Sequence, residues 1–154
     1  MVLDKPFLPC YNDNMIITGK INSIMRQALE YYARRLFTHQ LSRHIEVKVT
    51  QRKHMPEFHG LCGIEDYNVL GQPRYFEIEI RAGDTLEEKL ITLAHELCHV
   101  RQYCRNELNE QGNKWYGRRI DVDNVPWNEL PWEIEANELG YQLYKEFTEC
   151  HKKK

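Results

Sequence analysis

The spacing of apolar residues divides the chain into a few elements. From about Lys20 to Gln40, Ile21, Ile24, Ala28, Tyr32 and Leu36 recur at helical intervals, which predicts an amphipathic helix. Ile45 to Thr50 alternates β-branched and polar residues and predicts a half-buried strand. A second strand is expected around Phe58 to Ile64, followed by a turn over Glu65 to Pro73, where Asp66, Asn68, Gly71 and Pro73 fall. Tyr75 to Ile80 then alternates strictly, with Phe76, Ile78 and Ile80 on one face. Asp84 and Glu87 have the spacing of a capping box, so a helix is predicted from Asp84 to about Cys104 or Glu107. A polar loop with Gly112 and Gly117 leads to a last helix, from Pro131 to about Glu149, proline being tolerated in a first helical turn. Residues 1–18, with Pro6, Pro9 and Asn12-Asp13-Asn14, are predicted to be irregular, and 150–154 to form a tail.

This order predicts an α+β domain with helices on one side of a sheet of about three strands, mainly antiparallel. The 154 residues suit one domain spanning 1–154, and no linker-like composition divides them.

Chemistry enters on the helix predicted from Asp84. At about 100° per residue, Leu86, Leu90, Leu93, Leu97, Val100 and Cys104 form one stripe, and His95 and His99 fall almost opposite, beside Thr92, Gln102 and Tyr103. Glu88 is the only charged residue on that face before the loop, so the face is expected to line a cleft or meet a second element. His95-Glu96-Leu97-Cys98-His99 is an HExxH string. On a helix its two imidazoles point the same way and can hold one metal ion, while Glu96 can reach a water on that metal and act as general base.

A catalytic zinc normally has three protein ligands and one open position. After His99 the next histidine is His151, and Cys104 lies on the apolar stripe, so a carboxylate is the expected third ligand. In the last helix Trp132, Ala136, Leu139, Leu143 and Phe147 form the core stripe, flanked at nearly equal angles by Glu133 and Glu135. Periodicity does not choose between them. Four residues beyond Glu133 stands Asn137, whose side-chain oxygen is able to accept a proton from a ligating imidazole, whereas Leu139 follows Glu135; that favours Glu133.

The two segments together, His95-Glu96-Leu97-Cys98-His99 and Glu133-Ile134-Glu135-Ala136-Asn137, resemble the HExxH…ExxA(N/D) pairing of gluzincin zinc metallopeptidases. Trp115-Tyr116-Gly117 and Pro131-Trp132-Glu133-Ile134-Glu135-Ala136, with the small size and the strand before the helix, are similar to compact SprT-like peptidases, including phage-encoded ones. The Glu-x-Glu-Ala-Asn string also resembles the ImmA/IrrE peptidases. The resemblance implies a minimal zincin-like domain whose zinc is held by His95, His99 and Glu133, with Asn137 buttressing the site and Glu96 catalytic. It implies hydrolysis of peptide bonds in a protein or peptide substrate. Tyr75 to Ile80 resembles the cleft-edge strand of such enzymes, which would place Tyr75, Glu77 and Glu79 along a bound substrate. Tyr141, Tyr116 and Arg118 are the candidates for stabilising the oxyanion.

The competing expectation is a non-catalytic binding or assembly module in which zinc is structural. Cys98, His59 or Cys62 would then close the shell, although Cys98 lies about 100° around the helix from His99.

Composition narrows the setting. A net charge of −2, a sequence pI near 6.4 and the lack of a cysteine zinc ribbon argue against nucleic acid as a partner. Five cysteines, an odd number without CxxC pairs, argue against a disulfide scaffold. No apolar run approaches the ~20 residues of a membrane span, and the first residues lack a signal-peptide pattern. A cytoplasmic protein is expected, in the host cytoplasm if phage-encoded.

Overall fold

The computed structural model describes residues 14–152. The chain runs β1 (Ile16–Gly19), α1 (Ser23–Leu36), α2 (His39–Ser42), β2 (Glu46–Arg52), β3 (Gly60–Tyr67), β4 (Pro73–Arg81) and α3 (Leu86–Cys104). It continues with a short hairpin, β5 (Lys114–Trp115) and β6 (Arg118–Arg119), a 3-10 turn (Trp127–Glu129) and α4 (Pro131–Lys152). This is an α+β fold. Of the segment predicted irregular, residues 1–13 lie outside the described residues, while Ile16–Gly19 forms a strand. The predicted tail is helical as far as Lys152, and residues 153–154 lie outside the description.

The sheet differs from expectation. It has four strands in the order β1-β2-β4-β3, and both the β1–β2 and β2–β4 pairs are parallel; only β3–β4 is antiparallel. Alternation along a strand reports which face each side chain takes and is silent on neighbour and direction. Helix α1 supplies the crossover that a parallel β1–β2 pair needs, and β4 inserts between β2 and β3.

The helices cover one face of this sheet. Ile17, Val47, Val49, Phe76, Ile78 and Ile80 are buried against Leu29, Tyr32, Leu93, Leu97 and Val100 from α1 and α3, with Ala136, Leu143 and Phe147 completing the core from α4. Tyr32, fully buried, donates its hydroxyl to Leu90 O at 3.0 Å, which satisfies the one polar group that α1 sends inward.

Two local features set the position of α3. Its N-cap is Thr85, which accepts from Glu88 N–H while the Glu88 carboxylate accepts from Thr85 N–H. The capping box is therefore one residue later than the predicted Asp84/Glu87 pair, because Asp84 is engaged by His59 Nδ1 at 2.7 Å and lies near Arg81. At the far end Asn106 takes a left-handed conformation (φ 56°) that terminates the helix. Glu107 and Leu108 then turn back to Gln102 O through N–H bonds of 2.9 and 3.2 Å.

Candidate metal centre

His95 and His99 sit one turn apart at mid-helix, with their rings edge-on and 4.8 Å between centroids. Their Nε2 atoms are 3.2 Å apart. The first turn of α4 brings a carboxylate to both: Glu133 Oε1 lies 3.1 Å from His95 Nε2 and Oε2 lies 3.1 Å from His99 Nε2. Pro131 starts that helix, and an acidic residue in its first turn is favoured by the helix dipole. Gly140 permits the close approach of α4, since a Cβ there would stand 3.0 Å from the backbone of His95.

Glu96 is buried beside the pair, its Oε2 3.8 Å from His95 Nε2. One donor atom from each of His95, Glu96 and His99 falls within 4.8 Å of the others, so this group is able to hold a metal ion. Burial pushes the Glu96 carboxyl up, against the opposing pull of the two histidines. Burial acts on Glu133 in the same direction, but hydrogen bonds from both imidazoles outweigh it and hold that carboxyl down to about 2. His99 is disfavoured as a cation by burial, yet its bonds to Glu133 and Gln102 and the nearby Glu96 charge lift it to about 9.

The orientation of His99 comes from Gln102, which is fully buried. Its amide nitrogen donates to Trp132 O at 3.1 Å and Glu135 Oε1 at 2.9 Å, so its oxygen must face His99 Nδ1, which it meets at 2.7 Å. With Nδ1–H donating there, Nε2 is the nitrogen presented to a ligand. Sequence reasoning gave this buttressing role to Asn137; Asn137 instead lies exposed on the cavity wall and is bonded to neither imidazole. The signal for Gln102 was its position three residues after His99 on the same helix. We expect Gln102→Leu to weaken metal binding by about 10–100-fold in a competitive zinc titration, and Asn137→Ala to leave it unchanged.

The centre forms part of the floor of a cavity of about 960 Å³. One wall is the start of β3, where Gly60 and Cys62 line the space. Gly60 is required there: a Cβ would stand 2.4 Å from Thr92 Cγ2 and 3.2 Å from Glu96 Cγ. Since His59 O accepts from Arg81 N–H, pairing alternates so that Leu61 and Gly63 bond to β4 while Gly60 and Cys62 turn their backbone groups to the open edge. The opposite wall carries Val122, Val125, Trp127 and Leu130. The two walls touch where Phe58 meets Trp127, with ring centroids 5.8 Å apart.

Other expected site residues lie elsewhere. The strand Tyr75 to Ile80 has no free edge, because β4 is paired to β2 on one side and β3 on the other. Glu77 and Glu79 point to the face away from the helices, engaged by Thr50 and Arg52, and Tyr75 is exposed on that face. None of Tyr141, Tyr116 and Arg118 lines the cavity: Tyr141 packs on Tyr144 and Lys145, Tyr116 packs edge-on against Trp115, and Arg118 is exposed in β6. Cys98 is buried in the core, and Cys62 lies in the cavity wall.

The coupled charges predict a pH dependence for protein freed of metal. Glu133, lowered from 4.5 to about 2, contributes stability that is present above pH 4.5 and lost as pH falls towards 2. His99, raised from 6.5 to about 9, contributes stability that is full below pH 6.5 and lost as pH rises through 9. The thermal midpoint of metal-free protein is therefore expected to fall as pH is raised from 6.5 to 9 and to recover there on adding zinc; a scan at stepped pH, with and without zinc, checks this.

Among the described residues, no helix is long and apolar enough to cross a membrane. Comparison with protein-family models, with curated proteins and with solved structures found no match, which leaves the geometry of this centre as the ground for assigning a function.

Proposed function

We propose that this chain is a zinc-dependent peptidase with a minimal zincin-like fold of the gluzincin kind, SprT-like in size. One observation carries the reading: two imidazole nitrogens and a carboxylate from separate helices converge at 3.1–3.2 Å in the floor of an open cavity. Four donors placed tetrahedrally at zinc distances stand about 3.3 Å from one another, so the spacing of these three suits zinc with one position left towards the cavity. The donor set of two neutral nitrogens and one carboxylate also suits it.

When bound, zinc would polarise the scissile carbonyl and lower the pKa of water towards ~7. The protein's own groups do the rest. Glu96 takes a proton from the attacking water and returns it to the leaving nitrogen, and a carboxyl raised by burial suits both halves of that transfer. Gln102 keeps His99 in the ligating tautomer. The free edge of β3 at Gly60 and Cys62 is able to pair with an extended peptide, which gives affinity through main-chain bonds with modest sequence selectivity.

The reading of the centre as a purely structural zinc site fits less well. Closing the fourth position would take Cys98, His59 or Cys62. Cys98 is buried in the core, and His59 is held by Asp84 just before α3. Cys62 lies in the cavity wall, but burial and the nearby Glu96 charge push its thiol up, away from the thiolate that zinc binds. The test is hydrolysis of an unfolded protein by zinc-saturated enzyme. Activity that disappears on chelation and returns with zinc supports the proposal; none at full zinc occupancy contradicts it.

A further inference from the structure

The cavity is barred on one side of the metal centre. Phe58 and Trp127 reach across it from opposite walls, and their rings meet with 5.8 Å between centroids at a tilt of 50°. Rings at that separation are in contact, so no peptide main chain fits between them. In the other direction the lining continues past His99 and Tyr103 to Gly112.

The two halves of the bar are built differently. Phe58 stands on a strap, residues 53–59, that Arg81 ties down. The Arg81 side chain donates from Nε to Met55 O and from Nη2 to Phe58 O, both at 2.9 Å, and its backbone N–H donates to His59 O at 3.0 Å. Asp84 holds the His59 ring, and Met55 is buried. Trp127 stands instead on the single 3-10 turn before α4, which has no side-chain cap. Pro126, Trp127, Asn128 and Glu129 are all exposed. The turn is held by Glu129 N–H donating to Pro126 O at 2.9 Å and Leu130 N–H donating to Trp127 O at 3.2 Å. Exposed backbone bonds with little buried surface open at low cost. Phe58 is thus the fixed post and Trp127 the part that moves.

The bar also lies close to the centre. Gly60, where β3 begins, stands against Glu96, and Phe58 precedes it by two residues, about 7 Å of extended chain. A peptide paired with the free edge of β3 over the metal therefore meets the bar about two residues from the bond cleaved.

We propose that the Phe58–Trp127 contact measures the substrate: peptides with at most about two residues on one side of the scissile bond enter the closed cavity, and longer chains on that side enter only when the Trp127 turn swings away from Phe58. The inference rests on the peptidase reading above and adds the substrate class, short peptides and chain ends in preference to the interior of a long chain. Unfolded proteins remain substrates through their ends and through the open state. An aromatic pair of this kind favours the closed state by about two- to tenfold.

Two series of quenched fluorescent peptides test this. Both share one cleaved sequence and are lengthened a residue at a time, one series before the bond and the other after it. With zinc-saturated wild type, kcat/KM is expected to fall by about two- to tenfold at about the third residue in one series, and to show no such drop in the other. Trp127→Ala and Phe58→Ala are expected to remove the drop, so that long and short peptides of that series are cleaved alike, while Trp127→Phe, which keeps a ring against Phe58, retains it. A drop in both series or in neither overturns the bar and leaves the metal centre standing, as does a drop that persists in both folded alanine variants. No hydrolysis of any peptide at full zinc occupancy overturns the peptidase reading and this proposal with it.

Discussion

Glu96→Gln is expected to lower the turnover of an unfolded protein substrate by about 10²- to 10⁴-fold, the range for loss of a positioned general base, while zinc content stays at that of wild type. The argument is geometric. Glu96 Oε2 stands 3.8 Å from His95 Nε2, beside the three converging donors, and the Glu133 carboxylate already meets both imidazoles. The amide occupies the same volume, so the close contact of Gly60 with this side chain is undisturbed. Burial disfavours the ionised form of Glu96 and offsets the loss of its attraction to the two histidines, so the thermal midpoint at neutral pH is expected to stay near that of wild type. Equal turnover by the variant removes Glu96 from the chemistry.

The second large effect separates the two glutamates of α4. Glu133→Ala removes the carboxylate that touches both imidazoles and is expected to weaken zinc binding by more than the 10–100-fold typical of losing an outer partner. Glu135→Ala removes one acceptor from Gln102, whose amide keeps Trp132 O, so its effect should stay below about tenfold. Competitive titration of both variants against a chelator of known affinity gives the ratio, and a larger loss from Glu135→Ala would reverse the roles assigned to them.

How far the chain discloses its own site is instructive at particular residues. The helix of His95 and His99 is legible because its apolar stripe and its histidines fall on opposite sides, and helical spacing alone puts the two imidazoles together. The edge of the cavity was misplaced for a physical reason. Tyr75 to Ile80 alternates better than Gly60 to Tyr67 because β4 is central and packs its inward side chains fully, whereas β3 is an edge strand with weak patterning and a bulge near Asp66. Regular alternation marks burial, and burial is what an edge lacks. Ile16–Gly19 escaped notice because four residues beside an Asn/Asp cluster are too few for a periodicity to register.

Glu133 shows a different limit. Angles around α4 leave it level with Glu135, and the preference for it rested on Asn137, which faces the cavity and supports neither histidine. Gln102 performs the support, held in place by Trp132 and by Glu135 itself. Which neighbour orients a ligand depends on how α3 and α4 cross, and Gly140 against His95 sets that crossing. A single-helix projection holds no information about it.

The most direct measurement is X-ray absorption at the zinc edge on wild type loaded with one equivalent of the metal. The account predicts a first shell of nitrogen and oxygen only, with two imidazoles, and loss of that signature in Glu133→Ala. A sulfur donor in the shell, or failure of the folded protein to retain zinc at all, would contradict it.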